Sequence, residues 1–188
     1  MRVLIFGATG MVGQGVLREC LEAPDVELAV ALGRTSTGLT KPGFREIMHR
    51  DLWNYATIES SLAGFDACFF CLGVSSNSVS KMDYERITYD LTIAAAKTLS
   101  RLNPQMTFIY VSGSGTDSTG QGWMRWARVK GRTENALLQL PFNAYMFRPG
   151  FIEPMDGIRS KTPLYRMFYS LGKPLFPQIG RASCRERV

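Results

Sequence analysis

Val3-Leu4-Ile5-Phe6-Gly7-Ala8-Thr9-Gly10-Met11-Val12-Gly13 runs from a short apolar strand through a glycine turn into a segment with helical spacing, its apolar residues at Met11, Val12, Val16, Leu17 and Leu21. Each glycine of this G-x-x-G-x-x-G has a physical task. Gly7 permits the sharp exit from the strand, Gly10 lets backbone come close to a pyrophosphate, and Gly13 lets helix and strand pack tightly. The helix N-terminus beyond offers unpaired N–H groups and the positive end of a dipole. Glycine is frequent in this chain, 18 of 188 residues, so the pattern alone is weak. Its place, straight after the first strand and inside a β-α-β unit, points to dinucleotide binding by Gly7, Thr9, Gly10, Met11, Val12 and Gly13.

Working outward, the same alternation repeats. Pro24-Asp25 ends the first helix and 26–32 reads as a second strand. Residues 33–43 are loop by composition, and Phe44 to Met48 is a third strand. A helix at 55–63 closes on Gly64, and strand four is 66–72. A long helix at about 82–102 stops at Asn103-Pro104, strand five is 106–111, a helix covers about 123–140, and strand six is 143–147. Apolar, β-branched strands alternating with helices predict an α/β fold, a doubly wound, mostly parallel sheet between two helical layers. Right-handed crossovers give the order 3-2-1-4-5-6, with the ligand crevice at the carboxyl ends of strands 1 and 4. Residues 1–178 are expected to form one Rossmann-like domain, with 154–178 as either a substrate lid or a plain packing helix. Residues 179–188, Ile-Gly-Arg-Ala-Ser-Cys-Arg-Glu-Arg-Val, read like a translated sequencing adapter. They are taken as a non-native tail, with the natural chain continuing past Gln178.

Composition bounds the function. Hydrophobic residues make up 45% and charged residues 20%, ordinary values for a chain with a buried core. The net charge of +6 is scattered rather than clustered, which favours a small anionic ligand over nucleic acid. No signal peptide precedes the first strand, and no apolar run approaches the roughly 20 residues that span a bilayer. A reducing, cytoplasmic setting with free thiols follows, with no membrane or nucleic-acid partner and no metal. Cys68 and Cys71 form a C-x-x-C, but three residues apart on a strand they point to opposite faces, which disfavours a redox pair. The lone His49 reads as structural.

Further along stand Asp51-Leu52 after strand three, Cys71-Leu72-Gly73 after strand four, a Ser-rich turn after strand five, Lys130 on the next helix and Arg148-Pro149-Gly150 after strand six. Together with the glycine turn, this order over residues 1–155 resembles an atypical short-chain dehydrogenase/reductase. The nearest likeness is the NAD(P)H-binding, epimerase-like group that includes the TIP30-type oxidoreductases. The resemblance implies that Asp51, with Leu52 beside it, takes the adenine amino group, that Leu72 and Gly73 line the adenine ribose, that Lys130 binds the nicotinamide ribose, and that Pro149 and Gly150 border the nicotinamide. Asp51 starting a turn and Lys130 as a solvated helix residue are the plain alternatives. An NAD site usually ends strand two on a carboxylate, whereas here it ends Leu32-Gly33-Arg34-Thr35-Ser36. Arg34 can hold a 2′-phosphate through two parallel N–H donors, and the Thr35 and Ser36 hydroxyls can add bonds, so NADP(H) is expected over NAD(H).

The departure is at the catalytic pair. The superfamily typically carries Tyr-x-x-x-Lys on this helix; this chain has Trp126-Ala-Arg-Val-Lys130. An indole N–H donates but is no usable acid at neutral pH. Ser112 or Ser114 could polarise a carbonyl, and Tyr84, Tyr89 or Asp117 could supply a proton. Two readings stand: an NADPH-linked reductase of a small carbonyl substrate with a non-standard proton donor and Ser112, Ser114 and Lys130 as catalytic groups, or a non-catalytic NADPH-binding regulatory protein. The sequence leaves substrate and oligomeric state open.

Overall fold

A computed structural model describes residues 1–150 and 152. The expectations for 154–178 and for 179–188, Cys184 included, lie outside the described residues. Six strands form one parallel sheet: β1 Arg2–Phe6, β2 Leu28–Gly33, β3 Phe44–Met48, β4 Ala67–Phe70, β5 Thr107–Val111 and β6 Asn143–Phe147. Their order is β3-β2-β1-β4-β5-β6, as expected from the alternation. Helices α1 (Met11–Glu22), α2 (Lys81–Glu85) with α3 (Leu91–Leu102), and α4 (Arg125–Leu137) make the crossovers after β1, β4 and β5.

The two-residue period of the strands splits the core between the sheet's faces. Leu4, Phe6, Val30, Leu32, Cys68, Phe70, Phe108 and Tyr110 point to one face, under the buried Leu91, Ala95, Ala96, Leu99 and Leu137 of α3 and α4. Val3, Ile5, Ala29, Ala31 and Ala67 point to the other, against Leu17 and Cys20 of α1. Phe70 sits at the centre of the first face, its ring centroid 5.0 Å from Phe6 and 5.8 Å from Phe108. Burying each such side chain is worth roughly 1.5–3 kcal/mol.

The element boundaries differ from the sequence reading where hydrogen bonding decides them. β2 begins at Leu28 because Val26 N–H closes a turn on the Ala23 carbonyl and Glu27 N–H bonds Met1. The predicted helix at 55–63 is a 3₁₀ segment, Ala56–Leu62. The long helix is continuous from Lys81 to Leu102 but contains a wider π turn at Arg86–Asp90. It stops at Asn103, whose side chain accepts from Phe65 N–H at 3.0 Å and donates to the Leu62 carbonyl at 2.8 Å. That one buried amide fastens the end of α3 to the entry of β4.

Candidate functional site

A crevice of about 250 Å³ opens at the carboxyl ends of β1, β2 and β4, where the strand order reverses. Gly7, Thr9 and Gly10 form its floor, Gly33, Arg34 and Leu52 one wall, and Leu72 and Gly73 the other. The glycines are there for space. Gly7 has φ +76°, and a Cβ on it would stand 2.9 Å from Leu72 N. A Cβ on Gly13 would lie 2.1 Å from the Gly7 carbonyl oxygen, so α1 touches the turn through bare backbone. Gly10 is the N-cap, and no side chain caps the helix. The first-turn amides of α1 have no partner within their own helix. This is a donor set suited to an anion.

The expected residues divide into three groups. Gly7, Thr9, Gly10, Arg34, Leu52, Leu72 and Gly73 line the crevice. Met11, Val12 and Gly13 belong to the first turn of α1 behind that floor, half-buried or buried. Asp51 is exposed beside the crevice, and its Oδ1 accepts from Trp53 N–H at 3.0 Å, a local turn of the kind weighed as its plain alternative. His49 bonds the Asn54 carbonyl at 2.7 Å through Nε2 and packs on Tyr55.

Ser112, Ser114, Lys130, Pro149 and Gly150 form a separate group at the ends of β5 and β6, outside the crevice wall. The loops after these strands are laced together: Ser112 N–H donates to Phe147 O at 2.9 Å and Ser114 N–H to Pro149 O at 3.0 Å. Lys130 Nζ donates to Ser112 O at 2.6 Å and lies 5.8 Å from the Tyr110 ring centroid. Burial pushes its ammonium down to about 8, against the pull of Glu134. Glu134 is itself buried and takes a forked pair from Arg148, Nε at 3.0 Å and the second guanidinium nitrogen on the other oxygen. Trp126 stands over the Ser-rich turn, its ring 3.6 Å from where a Cβ of Gly115 would be.

Of the alternative proton donors, none lines the crevice. Tyr84 is buried, and burial pushes its phenol up. The Tyr89 ring lies under Arg132, 4.2 Å from the guanidinium carbon. Asp117 is held below the usual carboxylate range, chiefly by the Thr119 hydroxyl and the Gly122 N–H, so it is an anion and no acid. Of the C-x-x-C pair, Cys68 is fully buried and Cys71 lines the crevice; burial raises both thiols, Cys71 to about 12.

Ala31, Thr37, Glu46, Met48 and Cys71 also line the crevice, and sequence reasoning named none of them as site residues. The signal for Glu46 and Met48 was the parallel register, which sets Ala31 opposite Glu46 and Gly33 opposite Met48. Among the described residues no group of His, Cys, Asp and Glu is placed to hold a metal, and no helix is long and apolar enough to cross a membrane.

No family model matches the chain. It is similar to the leucinostatins biosynthesis cluster protein T of Purpureocillium lilacinum, 29% identical over 145 residues, 74% of this chain and 52% of that protein. It is also similar to the mitochondrial protein FMP52 of Candida glabrata, 24% identical over 186 residues, 98% of this chain and 75% of that protein. The chain thus spans between about half and three quarters of these relatives' length. Among solved structures, WbmG of Bordetella bronchiseptica in complex with NAD superposes with a TM-score of 0.70 at 14% identity, over 93% of this chain and 60% of that one. Uronate dehydrogenase of Agrobacterium tumefaciens gives 0.56 at 20% identity, over 71% and 53%. The chain therefore shares the doubly wound α/β fold of these solved structures. One expectation is corrected: the FMP52 relatives are named as mitochondrial proteins, which overturns the cytoplasmic assignment.

Proposed function

We propose that the chain binds a nicotinamide dinucleotide along this crevice and works as an oxidoreductase on a small carbonyl compound. The observation that carries the reading is the uncapped start of α1, brought against the crevice floor by backbone contact at Gly7 and Gly13. Its amides and dipole would hold the diphosphate. Leu72 and Gly73 would flank the adenosine ribose, and Asp51 would keep one carboxylate oxygen for the adenine amino group. The solved neighbours support the class of ligand: WbmG was solved with NAD, and with NAD and UDP.

Arg34 is exposed at the crevice wall and pairs with no carboxylate among the described residues. Its guanidinium favours the 2′-phosphorylated cofactor, NADP(H). Lys130 has three donors, and with one on Ser112 the other two are left for the nicotinamide ribose hydroxyls. Ser114, Pro149 and Gly150, drawn together by the Ser114–Pro149 bond, would border the nicotinamide ring, with Ser112 or Ser114 polarising the substrate carbonyl. Bound there, the nicotinamide supplies hydride exchange. The proton comes from a group other than the tyrosine that the superfamily uses.

Titration of nicotinamide fluorescence is the test: NADPH and NADH both bind, the former more tightly. Arg34→Ala is expected to weaken NADPH by roughly 1–3 kcal/mol more than NADH. Silence toward both nucleotides would refute the reading. A second reading, cofactor binding without turnover, is favoured by Trp126 over the Ser-rich turn. A screen of aldehydes, ketones and quinones separates the two, because native turnover excludes it.

A further inference from the structure

Among the described residues Glu46 is the only carboxylate lining the crevice, and it stands on the same wall as Arg34. It projects from the middle of β3 and gathers the loop after β2 around itself. Ser36 Oγ donates to its Oε2 at 2.6 Å, while Thr37 N–H and Thr37 Oγ1 donate to Oε1 at 2.7 and 2.8 Å. The same hydroxyls then accept from Gly38 N–H at 3.0 Å and Leu39 N–H at 3.2 Å, so residues 36–39 are ordered about one anion. Burial works against that charge, but the bonds from Ser36 and Thr37 outweigh it and hold the carboxyl below its ordinary value. Glu46 is therefore ionised at neutral pH.

This changes the account of the loop. From sequence, the Ser36 hydroxyl is available to a 2′-phosphate held by Arg34; in the fold that hydroxyl already serves Glu46. A phosphate arriving at Arg34 meets a Ser36 hydroxyl already given to another anion, with that negative charge behind it. We infer that Glu46 is a specificity-determining residue that opposes Arg34, so that the preference between NADPH and NADH is set by competition for one loop rather than by Arg34 alone. The inference rests on the cofactor reading above. A 2′-hydroxyl has no charge to be repelled, so NADH is insensitive to the same carboxylate.

Dissociation constants for NADPH and NADH, measured with the full chain, Glu46→Gln and Glu46→Asp, test this. Glu46→Gln removes the charge while keeping an acceptor for Thr37. It is expected to raise the NADPH-to-NADH preference on the order of tenfold, with NADH within about twofold of the parent. Glu46→Asp keeps the charge and disturbs the loop, and is expected to leave the ratio near the parent's. Added salt should weaken NADPH more steeply in Glu46→Gln, where the attraction of Arg34 is unopposed. A ratio that stays fixed in Glu46→Gln, or that moves alike in both variants, overturns the inference and makes Glu46 a loop brace. If the parent chain binds neither nucleotide, the cofactor reading itself has failed, a result distinct from a fixed ratio.

Discussion

The two ends of the strand row are built on different principles. At the β1–β2–β3 end the crevice is made largely of backbone: four lining glycines, an uncapped helix start and two charged side chains on one wall, Arg34 and Glu46. At the β5–β6 end the interactions are made by side chains already bonded to one another. Lys130 is on the Ser112 carbonyl, Arg148 is on the buried Glu134, and the Ser112 and Phe147 backbones are joined. The first end is ready for a ligand as it stands. The second is a braced corner whose groups must share their present partners with whatever binds. Binding at the first end is therefore expected to tolerate changes at the second, while chemistry is not.

Four substitutions would break or sharpen that contrast. The largest effect is expected from Gly13→Val. Its Cβ would fall 2.1 Å from the Gly7 carbonyl, a contact that no rotamer relieves. Nucleotide titration should show no binding, and urea unfolding should show a loss of about 3 kcal/mol, the upper end for overpacking. Next comes Arg148→Ala, which strands a carboxylate whose side chain is 2% exposed. Roughly 3 kcal/mol of stability should go, because a buried charge loses its partner. Under conditions where the variant stays folded, NADPH affinity should hold; an equal loss of both would mean that the two ends are one unit.

A smaller, pH-dependent effect belongs to Lys130. Its ammonium titrates at about 8 in the fold, against 10.5 for the unperturbed group. Between those values the unfolded chain binds more protons, so stability rises with pH. Below pH 8 the buried charge counts against the fold in full, and above the unfolded value that penalty is gone. Urea midpoints of the parent should climb from about pH 8 to about pH 10 relative to Lys130→Met, and parallel curves would refute the assignment. The smallest effect is a control on the same helix as Gly13. A Cβ on Gly15 would meet nothing within 4 Å, so Gly15→Ala should add about 0.5–1 kcal/mol by helix propensity and leave nucleotide affinity alone.

Much of the backbone-built end was legible before the fold was known. A glycine turn after an apolar strand has few structural meanings, and seven of the residues named from sequence, Gly7, Thr9, Gly10, Arg34, Leu52, Leu72 and Gly73, line one crevice. Glu46 was passed over because no local pattern marks it. It matters only because β3 pairs in parallel with β2 in the register that sets it opposite Ala31, beneath a loop ten residues away in sequence. The braced corner was hidden for a similar reason. Lys130 is spaced correctly from Trp126, but its bond to Ser112, 18 residues back, depends on how α4 packs on β5.

By itself, the sequence determined the alternation of strands and helices, the strand order and the glycine floor, because these follow from side-chain periodicity and steric allowance within a few neighbouring residues. Only the tertiary structure decided which polar groups meet: Glu46 with Ser36 and Thr37 beside the crevice, Arg148 with Glu134 under the corner. Electrostatic partners are chosen by distance in space, and in a parallel sheet the strands that bring them together are separated in the chain by whole crossovers.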